Sequence, residues 1–241
     1  MKLKKLDLPK KYKYIEGESR PEYKKYHGRN KLSYSQYSSF KDIEEDGYKG
    51  KYLAQYFMGI PDPGNVFSDF GGYCGEYIEL GEDKSLQLSE KDKEILDSIE
   101  RPKDTEYEKE IVIDMANYGY DFVVQGFIDE RFKKEGIYII DTKTANIDKK
   151  TEYYASKDYG QTTLYCIAEE LEGNEIEYSG VRLFGRKGNG LEKYPLYLTG
   201  AVKEIPTPYS KERAEKLIED ICKTATEISD YYKVYNKYFK T

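Results

Sequence analysis

Residues 120–143 read YDFVVQGFIDERFKKEGIYIIDTK, and this stretch decides the fold that we predict. Its two runs of apolar, β-branched and aromatic residues, 120–129 and 136–140, are typical of β-strands. The segment between the runs is short and charged, so the two strands are predicted to form an antiparallel hairpin. Asp129 ends the first predicted strand, and Asp141 ends the second.

The Asp141-Thr142-Lys143 triplet is the candidate functional part of this hairpin. Residues two apart in a strand point to the same face, so Asp141 and Lys143 are predicted to share one side. Acid-x-Lys triplets also occur at 22–24, 82–84 and 148–150, but only this one follows an apolar run. Charges at the end of an apolar strand are costly to bury unless they bind a metal or a partner. The triplet therefore indicates either a surface ion pair or a divalent-metal site with a lysine beside it.

The hairpin resembles the core of the PD-(D/E)xK nuclease superfamily, in particular its RecB-like and lambda-exonuclease-like branch. Gly126-Phe-Ile-Asp129 and Ile139-Ile-Asp141-Thr-Lys143-Thr are similar to the two strand motifs of that branch. Three weaker motifs occur in the family's order. A Ser-x-Ser helix start and a glycine-led acidic helix precede the hairpin, and a Q-x-x-x-Y helix comes after it. They lie at 33–35, 71–76 and 161–165. The resemblance spans roughly residues 32 to 168.

This resemblance implies an α/β (α+β) fold with a restriction-endonuclease-like core, in which helices flank a central mixed β-sheet. Residues 32–241 are predicted to form a single nuclease domain, preceded by a basic arm at 1–31. That arm carries eleven Lys or Arg and four Asp or Glu. It is interpreted either as a phosphate-binding segment or as a solvated tail.

Periodicity and turn residues predict the other elements. Helices are predicted over 33–59, 68–81, 89–101 and 159–171, with a long C-terminal helix from Pro208 that packs on the sheet or on a partner subunit. Strands are predicted over 110–115, 176–184 and 194–198. The basic, glycine-rich segment 185–190 between the last two strands is interpreted as a hairpin turn or as a contact to DNA.

Composition excludes several classes of protein. A single histidine, His27, excludes histidine-based triads and multi-histidine zinc sites. Cys74, Cys166 and Cys222 are scattered, so neither a disulfide framework, a zinc ribbon nor an iron–sulfur cluster is expected. The net charge of −6 argues against a simple basic nucleic-acid binder. No long apolar run or signal peptide is present, so a cytoplasmic location is expected, in a bacterial host cell if the protein is phage-encoded.

The resemblance implies a metal-dependent catalytic site. Asp129, Asp141 and Lys143 are the expected catalytic residues, with the lysine orienting or helping to deprotonate the attacking water. Asp129, Asp141, the Thr142 carbonyl and Glu76 are the expected metal ligands, and Glu79 is the alternative on the same helix. Hard oxygen ligands of this kind suit Mg²⁺ or Mn²⁺ better than zinc.

The resemblance also implies residues that contact nucleic acid, namely Ser35, Gln161, Tyr165 and Arg131. Ser35 has a second interpretation as an ordinary helix N-cap. Gln161 and Tyr165 are four residues apart, so they are predicted to share one helix face.

The predicted function is hydrolysis of DNA phosphodiester bonds by an Mg²⁺-dependent nuclease. An exonuclease acting on linear ends in recombination, repair or phage DNA processing is favoured by the Gln161/Tyr165 motif. A structure- or sequence-selective endonuclease and a catalytically silent nucleic-acid-binding module are the alternatives. DNA, a recombinase or single-strand-binding protein, and further copies of this chain are the expected partners, and RNA as a substrate stays open.

Overall fold

The computed structural model describes residues 30–46, 52–58, 64–156 and 160–239. Almost all of the predicted basic arm, including His27, lies outside these residues. Residues 47–51 and 59 of the helix predicted over 33–59 also lie outside them.

A mixed β-sheet with helices on its flanks forms the framework, which confirms the predicted fold class. Its strands are β1 Lys31–Ser33, β2 Glu106–Asp114, β3 Val123–Lys133, β4 Ile137–Ala145, β5 Ile176–Lys187 and β6 Tyr197–Pro206. They follow the order β1-β3-β4-β5-β6, and β2 also pairs with β3. The β3–β4 and β5–β6 pairs are antiparallel, whereas β1–β3 and β4–β5 are parallel.

Six α-helices occur within the described ranges. They are α1 Tyr34–Asp46, α2 Val66–Leu80, α3 Glu90–Asp97, α4 Ile147–Ser156, α5 Gly160–Leu171 and α6 Lys211–Phe239. A π-helical segment, Leu53–Phe57, and a 3₁₀ turn, Met115–Tyr118, complete the regular structure. None of these helices, within the residues described, is long and apolar enough to cross a membrane.

The central hairpin is confirmed, but the predicted strand ends are wrong. β3 continues to Lys133 and β4 to Ala145, so Asp129 and Asp141 lie within the strands. The charged residues after Asp129 can remain in a strand because they have buried partners. Glu130 is 1% exposed and bonds to Arg182. A local pattern does not reveal such a partner, since it is distant in sequence.

The described chain forms two compact units by its contacts. Among the residues described, unit 1 comprises 64–109, 127–156 and 160–209, and unit 2 comprises 30–46, 52–58, 110–126 and 210–239. Each unit has its own apolar core. The single nuclease domain from residue 32 onward stays a prediction.

Unit 1 holds the hairpin and the helices around it. Its fully buried side chains include those of Ile128, Ile139, Leu164, Leu183 and Phe184. A second cluster joins α2 and α3 to the end of the sheet through residues such as Cys74 and Leu96. Burial of these apolar surfaces is the main stabilising term for such a unit.

Unit 2 is held together by aromatic contacts between α1, the π-helical segment and α6. The Phe40 ring lies 5.7 Å from the Tyr231 ring, and the Phe57 ring lies 5.1 Å from the Tyr232 ring. The apolar stripe predicted for the C-terminal helix therefore packs on α1 and the π-helical segment. That helix begins at Lys211, three residues later than predicted.

Candidate functional site

Asp129 and Asp141 face each other across β3 and β4. Glu130 pairs with Ile140, so the two aspartates occupy the next position in each strand. Side chains at such cross-strand positions are close neighbours, and like charges there repel. The Lys143 ammonium lies 2.7 Å from Asp141 Oδ2 and 3.7 Å from Asp129 Oδ2. The predicted shared face of Asp141 and Lys143 is confirmed, and the ammonium balances both carboxylates.

Thr142 fixes the floor of this site. Its backbone N–H donates to Asp129 Oδ2 at 2.8 Å, and its hydroxyl donates to Glu130 Oε1 at 2.8 Å. Glu130 also accepts from the Arg182 guanidinium at 2.5 Å and lies 3.3 Å from Arg101 Nε. A buried carboxylate with several donors is rigid, because each donor restrains it. Thr142 and Glu130 therefore connect the parts of β3 and β4 that carry the two aspartates to a buried ion-pair network.

Burial, and then the charge of Asp141, raises the pKa of Asp129 to about 7, against the lowering by Lys143 and the Thr142 N–H. Burial acts to lower the pKa of Lys143, but the charges of Asp141 and Asp129 outweigh it and raise that pKa. Lys143 is therefore protonated at neutral pH. In this form it stabilises negative charge and donates hydrogen bonds, and it has no lone pair with which to deprotonate water.

A cavity of about 340 Å³ lies between the strands and helix α2. Asp129 and Lys143 line it, whereas Asp141 is fully buried and is not among the lining residues. The residues of α2 that line it recur at helical spacing and are Phe67, Ser68, Gly71, Cys74, Gly75, Ile78 and Glu79. A Cβ at residue 71 would lie 3.3 Å from Thr144 Oγ1, so glycine there allows the helix to approach β4 closely. The helix begins at the N-cap Asn65, three residues before the predicted cap, because Asn65 and Ser68 form a capping box.

The acid of α2 that reaches this cavity is Glu79. Glu76, the first-choice metal ligand from the sequence, is not among the residues that line the cavity. Glu76 follows Gly75 by one residue, and one residue turns an α-helix by about 100°, so its side chain leaves on a different face. The alternative ligand on this helix is therefore better placed than the preferred one.

Glu108 lines the same cavity and was missed by sequence reasoning. Burial, followed by the charge of Glu79, raises the pKa of Glu108, with Lys143 acting in the opposite direction. Its φ of +48° is unusual for a residue with a side chain, and such strain is concentrated at functional sites. The predicted strand began at residue 110, whereas β2 begins at Glu106. Extending the period-two pattern backward through the charged residues is the signal that could have found it.

Gln161 and Tyr165 share a face of α5, as predicted, and Gln161 Nε2 donates to the Tyr165 hydroxyl at 2.6 Å. Tyr165 is 3% exposed. Burial, and then the charges of Asp141 and Asp129, raises the pKa of Tyr165 well above its ordinary value. The phenol is therefore a protonated group beside the carboxylates, and its contact with nucleic acid stays a prediction.

Arg131 is engaged in ion pairs. Its Nε and Nη2 lie 2.7 and 3.0 Å from the two oxygens of Glu169, and its Nη1 lies 2.5 Å from Glu106. Lys109 also reaches Glu169, at 2.6 Å. A bidentate pair of this kind holds the guanidinium in place. Nothing in this geometry favours the predicted role of Arg131 in binding nucleic acid.

Ser35 lies in the first turn of α1, in unit 2, with an exposed side chain. The residue that caps this helix is Ser33, whose hydroxyl accepts from the Gln36 N–H at 3.2 Å. Gln36 returns the contact, because its Oε1 accepts from the Ser33 N–H at 2.7 Å. The interpretation of Ser35 as the N-cap is therefore wrong, and its contact with phosphate stays a prediction.

The donor set fits a hard divalent cation. Two carboxylates already converge on one positive charge, the Lys143 ammonium. Within the described ranges, no three His, Cys, Asp or Glu side chains are grouped to bind a metal. Mg²⁺ commonly uses one or two carboxylates and completes its shell with water and substrate phosphate. Asp129 and Asp141 match that number of carboxylates, whereas Glu79 and Glu108 line the cavity without being grouped with them as a protein-only ligand set.

No family model matches this sequence, and no curated protein matches it. The crystal structure of SSO0001 is similar to this chain, with a TM-score of 0.41 and 18% sequence identity. The matched region covers 80% of this chain and 75% of the SSO0001 chain. This similarity is too low to support a function.

Proposed function

We propose that the chain is a metal-dependent nuclease that hydrolyses DNA phosphodiester bonds, with exonuclease action on linear ends favoured. The observation that carries this proposal is the facing pair Asp129 and Asp141 with the Lys143 ammonium close to both, beside an open cavity that Asp129 and Lys143 line. Two carboxylates that face each other in a sheet destabilise it, so a functional role explains the pair better than a structural one.

The mechanism assigns a separate task to each group. A divalent cation held by Asp129 and Asp141 would polarise the phosphate and lower the pKa of a water molecule. Lys143, protonated, orients that water and stabilises the negative charge that develops on the phosphate oxygens. Glu79 and Glu108 accept hydrogen bonds from water on the cavity wall and repel a phosphate that is bound too close to them.

The experiment uses end-labelled linear DNA and covalently closed circular DNA, each with Mg²⁺, Mn²⁺ or EDTA. We expect metal-dependent loss of the linear DNA alone, and we expect Lys143→Ala to slow it by at least about 100-fold. Lys133→Ala is the matched control, because Lys133 is exposed and lies at the end of β3, away from the cavity lining.

Other outcomes separate the alternatives. Cleavage of the closed circle would identify an endonuclease. Degradation of labelled RNA at the same rate as DNA would extend the substrate class to RNA. Retained binding without any cleavage would make the chain a silent module. A cytoplasmic location, a recombinase or single-strand-binding partner and assembly into homo-oligomers belong to the same proposal.

A further inference from the structure

A second groove in unit 1, of about 730 Å³, has a chemical character opposite to that of the acidic cavity. Four basic and three aromatic side chains line it, and no acidic side chain is among its described lining residues. They are Lys149, Arg186, Lys187 and Lys193, with Phe67, Tyr194 and Tyr197. Such a concentration of positive charge is unexpected in a chain with a net charge of −6.

The hairpin between β5 and β6 that carries most of these residues has a fixed shape. Gly188 has a φ of +97°, and a Cβ there would lie 2.0 Å from the Pro195 carbonyl oxygen. The N–H groups of Asn189 and Gly190 both donate to the Tyr194 carbonyl at 3.1 Å. The hairpin predicted between these strands is confirmed, although β5 continues to Lys187 and β6 begins at Tyr197 rather than at residue 194. These contacts hold the backbone that carries Lys187 and Lys193.

Arg186 and Phe67 connect this groove to the acidic cavity. Arg186 Nη1 donates to the Phe67 carbonyl at 2.9 Å, and its Cζ lies 4.5 Å from the centre of the Phe67 ring. Phe67 lines both the groove and the cavity that contains Asp129. A ligand that follows the groove therefore arrives beside the facing carboxylates.

Exposed aromatic rings accompany the positive charges. Tyr194 is 54% exposed and Tyr197 is 44% exposed, and Phe67 is 41% exposed. Cations attract phosphates, and exposed rings offer flat surfaces on which unpaired bases stack. A duplex keeps its bases stacked inside, so it would contact the basic side chains of the groove but not the aromatic rings. An acidic peptide would also leave the rings unused.

We propose that this groove binds a segment of single-stranded nucleic acid and leads it to the acidic cavity. The inference rests on the proposed nuclease function and deepens it, because it assigns a single-stranded or frayed end as the substrate class. Lys149, Lys187 and Lys193 contact successive phosphates, while Tyr194 and Tyr197 stack with bases.

The test measures binding in EDTA, where metal-dependent cleavage cannot occur. Fluorescence anisotropy with a labelled oligothymidylate of about 12 nucleotides gives the affinity at several salt concentrations. We expect the triple change Lys149→Ala, Lys187→Ala and Lys193→Ala to weaken binding more than about tenfold, and each lysine removed to flatten the salt dependence by about 0.7 in log–log slope. The matched control removes three exposed lysines that lie elsewhere in unit 1, at positions 91, 103 and 133.

The aromatic part is tested separately. Tyr194→Ala and Tyr197→Ala should each weaken binding by about fivefold or more, whereas Tyr194→Phe and Tyr197→Phe should retain it, because the ring carries the stacking. Circular dichroism and thermal unfolding establish that each variant is folded.

The outcomes distinguish the groove from the nuclease activity. Unchanged affinity in the folded triple-lysine variant, or equal affinity of the wild type for duplex DNA or polyglutamate, would overturn the groove assignment even if the enzyme cleaves. Absence of cleavage by a wild-type protein whose binding still depends on the groove would remove the nuclease function and leave the groove standing.

Discussion

Replacing Asp129 by asparagine removes one negative charge from the facing pair and preserves the shape of the side chain. The amide oxygen can still accept the Thr142 N–H that Asp129 accepts at 2.8 Å. We expect Asp129→Asn to raise the free energy of unfolding of the metal-free protein near pH 8, because burial and the charge of Asp141 oppose the ionised carboxylate.

The magnitude follows from the pKa of Asp129, which rises from 3.8 to about 7. At about 1.4 kcal/mol per pKa unit, the full shift corresponds to about 4 kcal/mol against the ionised form. The Asp129 side chain is 26% exposed. Solvent screening therefore reduces the effect, and we expect a gain of about 2 kcal/mol.

The pH dependence has a defined sign. Between the two pKa values the folded protein holds a proton that the unfolded chain has released, so this group's stabilisation is complete below about pH 4 and is lost as the pH rises to about 7. Asparagine does not titrate. The advantage of the variant over the wild type is therefore largest above pH 7 and falls to less than about half of that value at pH 5.

Urea unfolding in EDTA at pH 8 and pH 5 measures this difference, with Asp104→Asn as a control at an exposed aspartate. Repeating the measurement with Mg²⁺ should stabilise the wild type more than the Asp129 variant, since a ligand stabilises the form that binds it. A variant that is less stable than the wild type at pH 8, or equally stabilised at both pH values, would refute the reasoning.

Three further predictions concern other parts of unit 1. Glu79→Gln should raise the Mg²⁺ concentration needed for half-maximal cleavage about tenfold, whereas Glu76→Gln should leave it nearly unchanged. Titration of the cleavage rate with Mg²⁺ measures this. Glu169→Gln should lower the free energy of unfolding by about 2 kcal/mol at pH 7, because it removes the buried negative charge that Arg131 and Lys109 share and leaves Glu106 as the remaining counter-charge of Arg131; urea unfolding tests this. Leu86→Gly should raise the thermal stability by roughly 0.5–1 kcal/mol, because Leu86 is 83% exposed and has a φ of +55°. A lower melting temperature in that variant would contradict the strain assigned to Leu86.

The hairpin and the positions of Asp129, Asp141 and Lys143 were readable because strand periodicity is local. The strand ends were not readable, since Glu130 is kept in the sheet by Arg182, a residue on another strand. The choice between neighbouring residues on one helix depends on packing that no single segment contains.

The same limit explains the other differences between the sequence-based expectations and the structure around the site. Whether Glu76 or Glu79 reaches the cavity depends on how α2 rests on β4, which Gly71 permits. Glu108 escaped notice because its strand segment is charged and because its left-handed backbone is a tertiary feature. Ser33 rather than Ser35 caps α1, since the short strand β1 ends at that residue.

The division of unit 2 into three stretches of chain sets an order for events during synthesis. Unit 1 has all of its described residues outside the ribosome once residue 209 has emerged, whereas α6 of unit 2 has yet to emerge. The rings of Phe40 and Phe57 wait for Tyr231 and Tyr232 on that helix. Domains fold as units as the chain emerges, and exposed apolar surface invites aggregation. During this interval unit 1, which carries the facing carboxylates, is nearly complete, but the aromatic side chains of α1 are still exposed because α6 does not yet pack against them. A chaperone would be most needed at this stage.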